Sequence, residues 1–126
     1  SVQKETTPNK LELVQTTLQN VAPPKSGKYP ILPQLANKIG RDEKFEWITG
    51  QLEIENGHHV LYYGTPETVD KYNGRIILQV QQSEMNQFKK GDLISVRGQV
   101  TQRQTMQGAV PLYRVSHAAL IERPKS

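Results

Sequence analysis

Lys90-Gly91-Asp92-Leu93-Ile94-Ser95-Val96-Arg97-Gly98-Gln99-Val100 decides the fold of this 126-residue chain. Two lysines and a glycine end the element before it, because cations and a left-handed residue suit a helix C-terminus. From Leu93 the side chains alternate. Ile94, Val96, Gly98 and Val100 point to one face, and Ser95, Arg97, Gln99 and Thr101 to the other. That period of two is the signature of a half-buried strand. A glycine inside a strand weakens it unless the chain bulges or bends there, so Gly98 marks a predicted bend.

The same logic finds four more strands. Phe45–Glu55 carries Ile48, Gly50, Leu52 and Ile54 on one face, with a second mid-strand glycine. Asn56-Gly57 is a two-residue hairpin signal, since both residues tolerate positive φ. It joins a second strand, His58–Thr65, antiparallel to the first. A polar loop, Pro66–Asn73, leads through Asn73-Gly74 to a third strand, Arg75–Gln81. Ser83–Phe88 reads as a short helix capped by Ser83, whose Met85 and Phe88 close one end of a barrel. Leu93–Thr105 is the fourth strand, Met106-Gln107-Gly108 a turn, and Val110–Glu122 the fifth strand, which ends before Pro124.

Ahead of this module the composition changes. Pro8, Pro23, Pro24, Pro30 and Pro33, five of the eight prolines, fall in the first third of the chain. Residues 1–43 therefore read as an N-terminal extension, 44–122 as the folded module and 123–126 as a tail. Within the extension, Leu11, Val14, Leu18 and Val21 recur at helical spacing, predicting a short helix over Lys10–Val21. Pro23–Lys28 is a linker. Tyr29-Pro30-Ile31-Leu32-Pro33 is apolar and extended, and is expected to pack along the barrel, where it would cover Trp47. Gln34–Ile39 is expected to form one helical turn stopped by Gly40.

Charge follows the same division. Residues 1–40 hold five lysines against two glutamates, whereas residues 41–126 hold eleven basic against ten acidic residues. A near-neutral module lacks the positive field that drives sequence-independent nucleic-acid binding. The chain has no cysteine, which excludes disulfides, thiolate metal sites and cysteine nucleophiles. No apolar run approaches the ~20 residues of a membrane span. A polar, proline-rich stretch ahead of a domain is how mature exported proteins often begin, so a periplasmic or envelope location is favoured over the cytoplasm.

Five strands with a short helix between the third and fourth resemble the OB-fold, a Greek-key barrel. Gly91-Asp92 followed by I-x-V-x-G-x-V resembles the fourth strand of such domains, and Trp47-Ile48-Thr49-Gly50-Gln51-Leu52 resembles their first. In pattern the module is similar to uncharacterised bacterial OB-fold domains, some of them exported. The resemblance implies a mainly β, five-stranded barrel. It also implies a ligand surface on the outer face of the second and third strands, with the loops joining strands one to two and four to five. Both loops are short here (Glu55–His58 and Thr105–Ala109), which disfavours an oligonucleotide clamp.

Candidate ligand-binding residues follow from exposed-aromatic and cationic chemistry. Trp47, Tyr62, Tyr63 and Tyr72 offer rings on which a base or sugar could stack for about 1–3 kcal/mol. Arg75, Arg97 and Arg114 could pair with an anionic group from the same sheet. Tyr62 and Tyr63 are neighbours in a strand, so one of them faces the core. His58 and His59 point to opposite faces and are not expected to share a metal ion, and no metal or other cofactor is expected. No H-E-x-x-H, G-x-S-x-G or P-loop pattern occurs. Glu53 and Glu55 share a strand face, which is more simply a solvated hairpin end than an acid pair. The expectation is a non-enzymatic binding or interaction module for a protein partner or a small polar ligand. The alternatives are single-stranded nucleic-acid binding through the outer face, disfavoured by the near-neutral barrel, and a structural or assembly domain of a larger bacterial envelope protein.

Overall fold

Alternation and turn chemistry produce the strands nearly where the sequence places them. The computed structural model describes residues 29–124 apart from 66 and 69. The helix expected over Lys10–Val21 lies outside the described residues. The strands are β1 (Gly40–Arg41), β2 (Trp47–Glu55), β3 (His58–Tyr62), β4 (Arg75–Gln79), β5 (Leu93–Thr105) and β6 (Gly108–Glu122). They form one mainly antiparallel sheet in the order β1-β2-β3-β4-β6-β5, and a further β2–β5 pairing closes the sheet into a ring. Among the described strands only β4 and β6 run parallel. This arrangement is compatible with a barrel-like fold.

Several expectations are corrected. The described residues form six strands, not five. β3 pairs with β2 from Gln51 onward, which leaves the same edge of β2 open at Ile48 and Thr49, and Gly40–Arg41 fill it. Gly40 is thus a strand residue and does not stop a helix. The turn before it is a 3-10 helix over Pro33–Leu35. The helix expected over Ser83–Phe88 is a four-residue turn, α1 (Gln82–Met85), whose cap is Gln81 and not Ser83. β3 and β4 each end short of the expected boundary, at Tyr62 and Gln79.

The interior is apolar and continuous. Ile48, Leu52, Leu61, Tyr63, Ile76, Leu78, Met85, Phe88, Ile94, Val96 and Tyr113 pack together inside the ring. Met85 and Phe88, expected at one end of a barrel, are buried within it. Asn56 and Gly57 take φ of 52° and 81°, and Asn73 and Gly74 take 57° and 80°, so both Asn-Gly pairs make the left-handed turns their chemistry favours. β5 and β6 slip register at Arg97/Gly98, the position of the predicted bend.

A second, smaller cluster lies on the outer surface of the sheet. Val60, Tyr62, Ile77 and Leu112 form it, and Tyr29, Ile31 and Val110 pack against it. Sheet faces that turn away from a core are ordinarily polar and solvated. Here the chain covers its own apolar patch with the segment that precedes the 3-10 turn.

Candidate functional site

The outer patch is built by cross-strand pairing. Val60 sits opposite Ile77 on neighbouring strands, Ile77 opposite Leu112, and Tyr62 opposite Arg75. Tyr62 is fully buried. Its hydroxyl donates to Glu55, and Arg75 pairs with the same carboxylate at 2.8 Å while its guanidinium lies 5.3 Å from the Tyr62 ring centre. Burial, reinforced by the Glu55 hydrogen bond, pushes the Tyr62 phenol up to about 12, so it remains a donor at every physiological pH.

Tyr29–Leu32 lies across this patch as a strap. The Tyr29 ring meets Tyr62 edge-on at 5.0 Å, and its hydroxyl donates to the carbonyl of Asn73 at 2.9 Å. Gln51 secures the strap. Its side-chain amide donates to the carbonyl oxygen of Pro30 and accepts from the N–H of Leu32 at 2.8 Å. One primary amide thus imitates the edge of a neighbouring strand. Gln51 Nε2 also reaches Glu53 at 2.8 Å, and both side chains are buried. Burial raises the Glu53 carboxyl above its ordinary value, with Lys90, 3.8 Å away, acting in the opposite direction.

Beside the strap an open cleft of about 370 Å³ runs between the loop entering β4 and the β5–β6 turn. Lys71, Asn73, Arg75, Ile77, Gln107 and Val110 are among its walls. Ile77 and Val110 belong to the outer apolar cluster, so the cleft continues the surface the strap occupies.

A second cleft, of about 560 Å³, opens at the start of β2 between Arg41, Lys44, Phe45, Asp70, Tyr72 and Gln99. Phe45 has a φ of 57°, an uncommon conformation for a bulky side chain. It is held by the Tyr113 hydroxyl, which donates to its carbonyl at 2.7 Å, and by Arg41, whose guanidinium stacks 4.3 Å from its ring centre. Asp70 organises the facing loop. It accepts from Tyr63 at 2.8 Å, from Arg41 at 3.1 Å, and from the N–H groups of Tyr72 and Gly74. Burial alone would raise its pKa, but these donors together hold it below the ordinary range.

The sequence candidates fall into separate groups. Tyr62 and Arg75 meet under the strap. Tyr63 is buried, and it meets the half-buried Tyr72 around Phe45 and Asp70. Trp47 is half-buried at the start of β2, paired across the strands with the exposed Arg97. The contacts of the strap go to Gln51, Asn73 and the outer cluster around Tyr62. Arg114 is exposed beside Gln79 on the outside of the β4–β6 seam. Sequence reasoning passed over Gln51, Asp70 and the clasp of Asp92 with Arg123. The signal available for Gln51 was its place on the outer face of β2, within reach of an apolar segment already expected to pack there.

Among the described residues no group of three or more His, Asp or Glu side chains could hold a metal ion. None of the described helices is long and apolar enough to cross a membrane. No family model matches the chain, and comparison with curated proteins and with solved structures likewise gives no match.

Proposed function

We propose that this chain is a non-enzymatic binding module on an OB-fold scaffold, and that its ligand is a protein partner engaged through the outer sheet face. The strand order supports the scaffold reading: β2-β3-β4 antiparallel, β4 parallel to β6, and β5 returning to β2 after a short helical turn. The observation that carries the function is the outer apolar cluster, already holding an extended stretch of polypeptide and continuing into an open cleft. Uncovered apolar surface outside a core marks an interaction site, and here the chain's own strap covers it. The cleft rim supplies Lys71 and Gln107 for polar contacts.

Site-specific photo-crosslinking tests this reading. A crosslinker at the exposed Gln107 should give one reproducible protein adduct in the cell of origin, and one at the exposed Glu84 should not. Equal or absent adducts at the two positions would count against it. Single-stranded nucleic-acid binding draws support from a different observation, the pairing of Trp47 with the exposed Arg97. Quenching of Trp47 fluorescence by oligonucleotides at low salt, lost at moderate salt, would favour that reading instead.

A further inference from the structure

The strap is an extended segment packed on the outer sheet face. Leu32 has φ −69° and ψ 139°, the polyproline II conformation. Pro30 and Pro33 flank it, and prolines stiffen a chain into that shape. The groove reads this segment in two ways. Tyr62 and the cluster around it receive Tyr29 and Ile31, while Gln51 bonds the main chain at Pro30 and Leu32. Proline-rich segments are recognised elsewhere by the same combination of an aromatic-lined groove and a few fixed hydrogen bonds.

From this geometry we infer that the groove over Val60, Tyr62 and Ile77 is a polypeptide-recognition site. Its ligand is a partner segment of aromatic-proline-aliphatic pattern in polyproline II conformation, and Tyr29–Leu32 is a resident competitor. The inference deepens the protein-binding reading and rests on it. Tyr29 and Ile31 remain only partly buried and Pro30 is exposed, so the strap lies on the sheet surface and is not enclosed by it. The tether supplies its advantage. An attached segment acts at an effective concentration in the millimolar range, which a free peptide must exceed. A partner that offers more contacts, including the adjoining cleft, displaces it.

The test uses the full chain carrying Tyr29→Ala and Ile31→Ala, with circular dichroism and a cooperative melt confirming its fold. The probe is a synthetic peptide of residues 27–35, titrated by calorimetry. Saturable binding to this variant, at least about tenfold tighter than to the unaltered chain, is expected. Adding Gln51→Ala should abolish it, and a scrambled peptide should not bind. A folded variant that ignores the peptide, or that takes the scrambled one equally well, overturns the inference. So does concentration-dependent dimerisation of the unaltered chain by strap exchange, which would make a second copy the occupant. Crosslinks retained from Gln107 while the peptide fails would overturn this inference alone and leave the binding-module reading standing.

Discussion

Gly98 lies against the backbone of Arg114 so closely that a methyl group on it would stand 1.9 Å from the Arg114 carbonyl oxygen. The contact sits at the register slip where β5 bends around the ring. A main-chain carbonyl in a paired strand cannot step aside as a side chain can. Gly98→Ala is therefore expected to cost about 3 kcal/mol or more, and Gly98→Val to prevent folding. Gly40→Ala is the control, because nothing lies within 4 Å of the position a methyl would take there. Urea unfolding of the three variants checks this, and equal midpoints for Gly98→Ala and Gly40→Ala would refute it.

The Asp92–Arg123 clasp fastens the end of β6 to the turn that begins β5. Arg123 donates to both Asp92 oxygens, at 3.0 and 2.8 Å, and the Lys89 N–H adds a third bond at 2.8 Å. Burial would raise the pKa of Asp92, but these donors outweigh it and hold it below the ordinary Asp value of about 4. A depressed folded pKa means that the stabilisation is complete above the unfolded value and disappears as pH falls through the folded one. Asp70 has the same sign. Asp92→Asn should therefore flatten the acid limb of a stability–pH curve. Asp92→Ala should lose about 1–3 kcal/mol at neutral pH, since the Lys89 N–H is left without its acceptor.

Glu53 has the opposite sign. Its folded pKa is raised, so the folded state holds the proton to higher pH than the unfolded chain does. Stability then falls as pH rises from the unfolded to the folded pKa, and the whole cost is present above that window. Glu53→Gln keeps an acceptor for Gln51 and removes the charge. It is expected to raise the thermal midpoint at pH 7 and to leave it unchanged near pH 4. A lower midpoint at pH 7 would show that the Lys90 contact outweighs burial.

Tyr113→Phe isolates the bond that holds Phe45 in its left-handed conformation. Tyr113 is fully buried and its hydroxyl has the Phe45 carbonyl as partner. Removing the hydroxyl should cost about 1 kcal/mol. It should also shift the amide resonances of residues 42–47 while leaving those of the β5–β6 turn in place. An unchanged Phe45 environment would show that Arg41 stacking alone sets the loop.

What was legible in the sequence is what depends on local period and turn chemistry. The bounds of β5, the Asn-Gly turns and the core positions of Met85 and Phe88 all follow from side chains within a few residues of one another. The failures share a physical cause. Gln51 looks like a solvated strand residue until the strap, some twenty positions earlier, bonds to it, and Glu53 does so until Gln51 does the same. Asp70 reads as one polar residue in a polar loop, because its four donors come from β1, the end of β3 and the loop itself. Gly40 resembles a helix stop because the open edge of β2 that it fills exists only after β3 has paired. Each of these features is created by the assembled sheet, and none is written into its neighbours along the chain.

The ring-closing seam also has a consequence in time. β5 and β6 are joined by a short turn and can zip together as a hairpin from local encounters. β2 must find β5 across a large gap, since Trp47 pairs with Arg97, fifty residues further on. Pairings of such sequence separation carry a large chain-closure entropy and slow folding. Hairpin formation early and seam closure late is the expected order. Substitutions near the β5–β6 turn should then retard refolding, whereas one at Thr49, whose hydroxyl meets that of Ser95 at 3.2 Å across the seam, should mainly hasten unfolding. Stopped-flow chevrons separate the two.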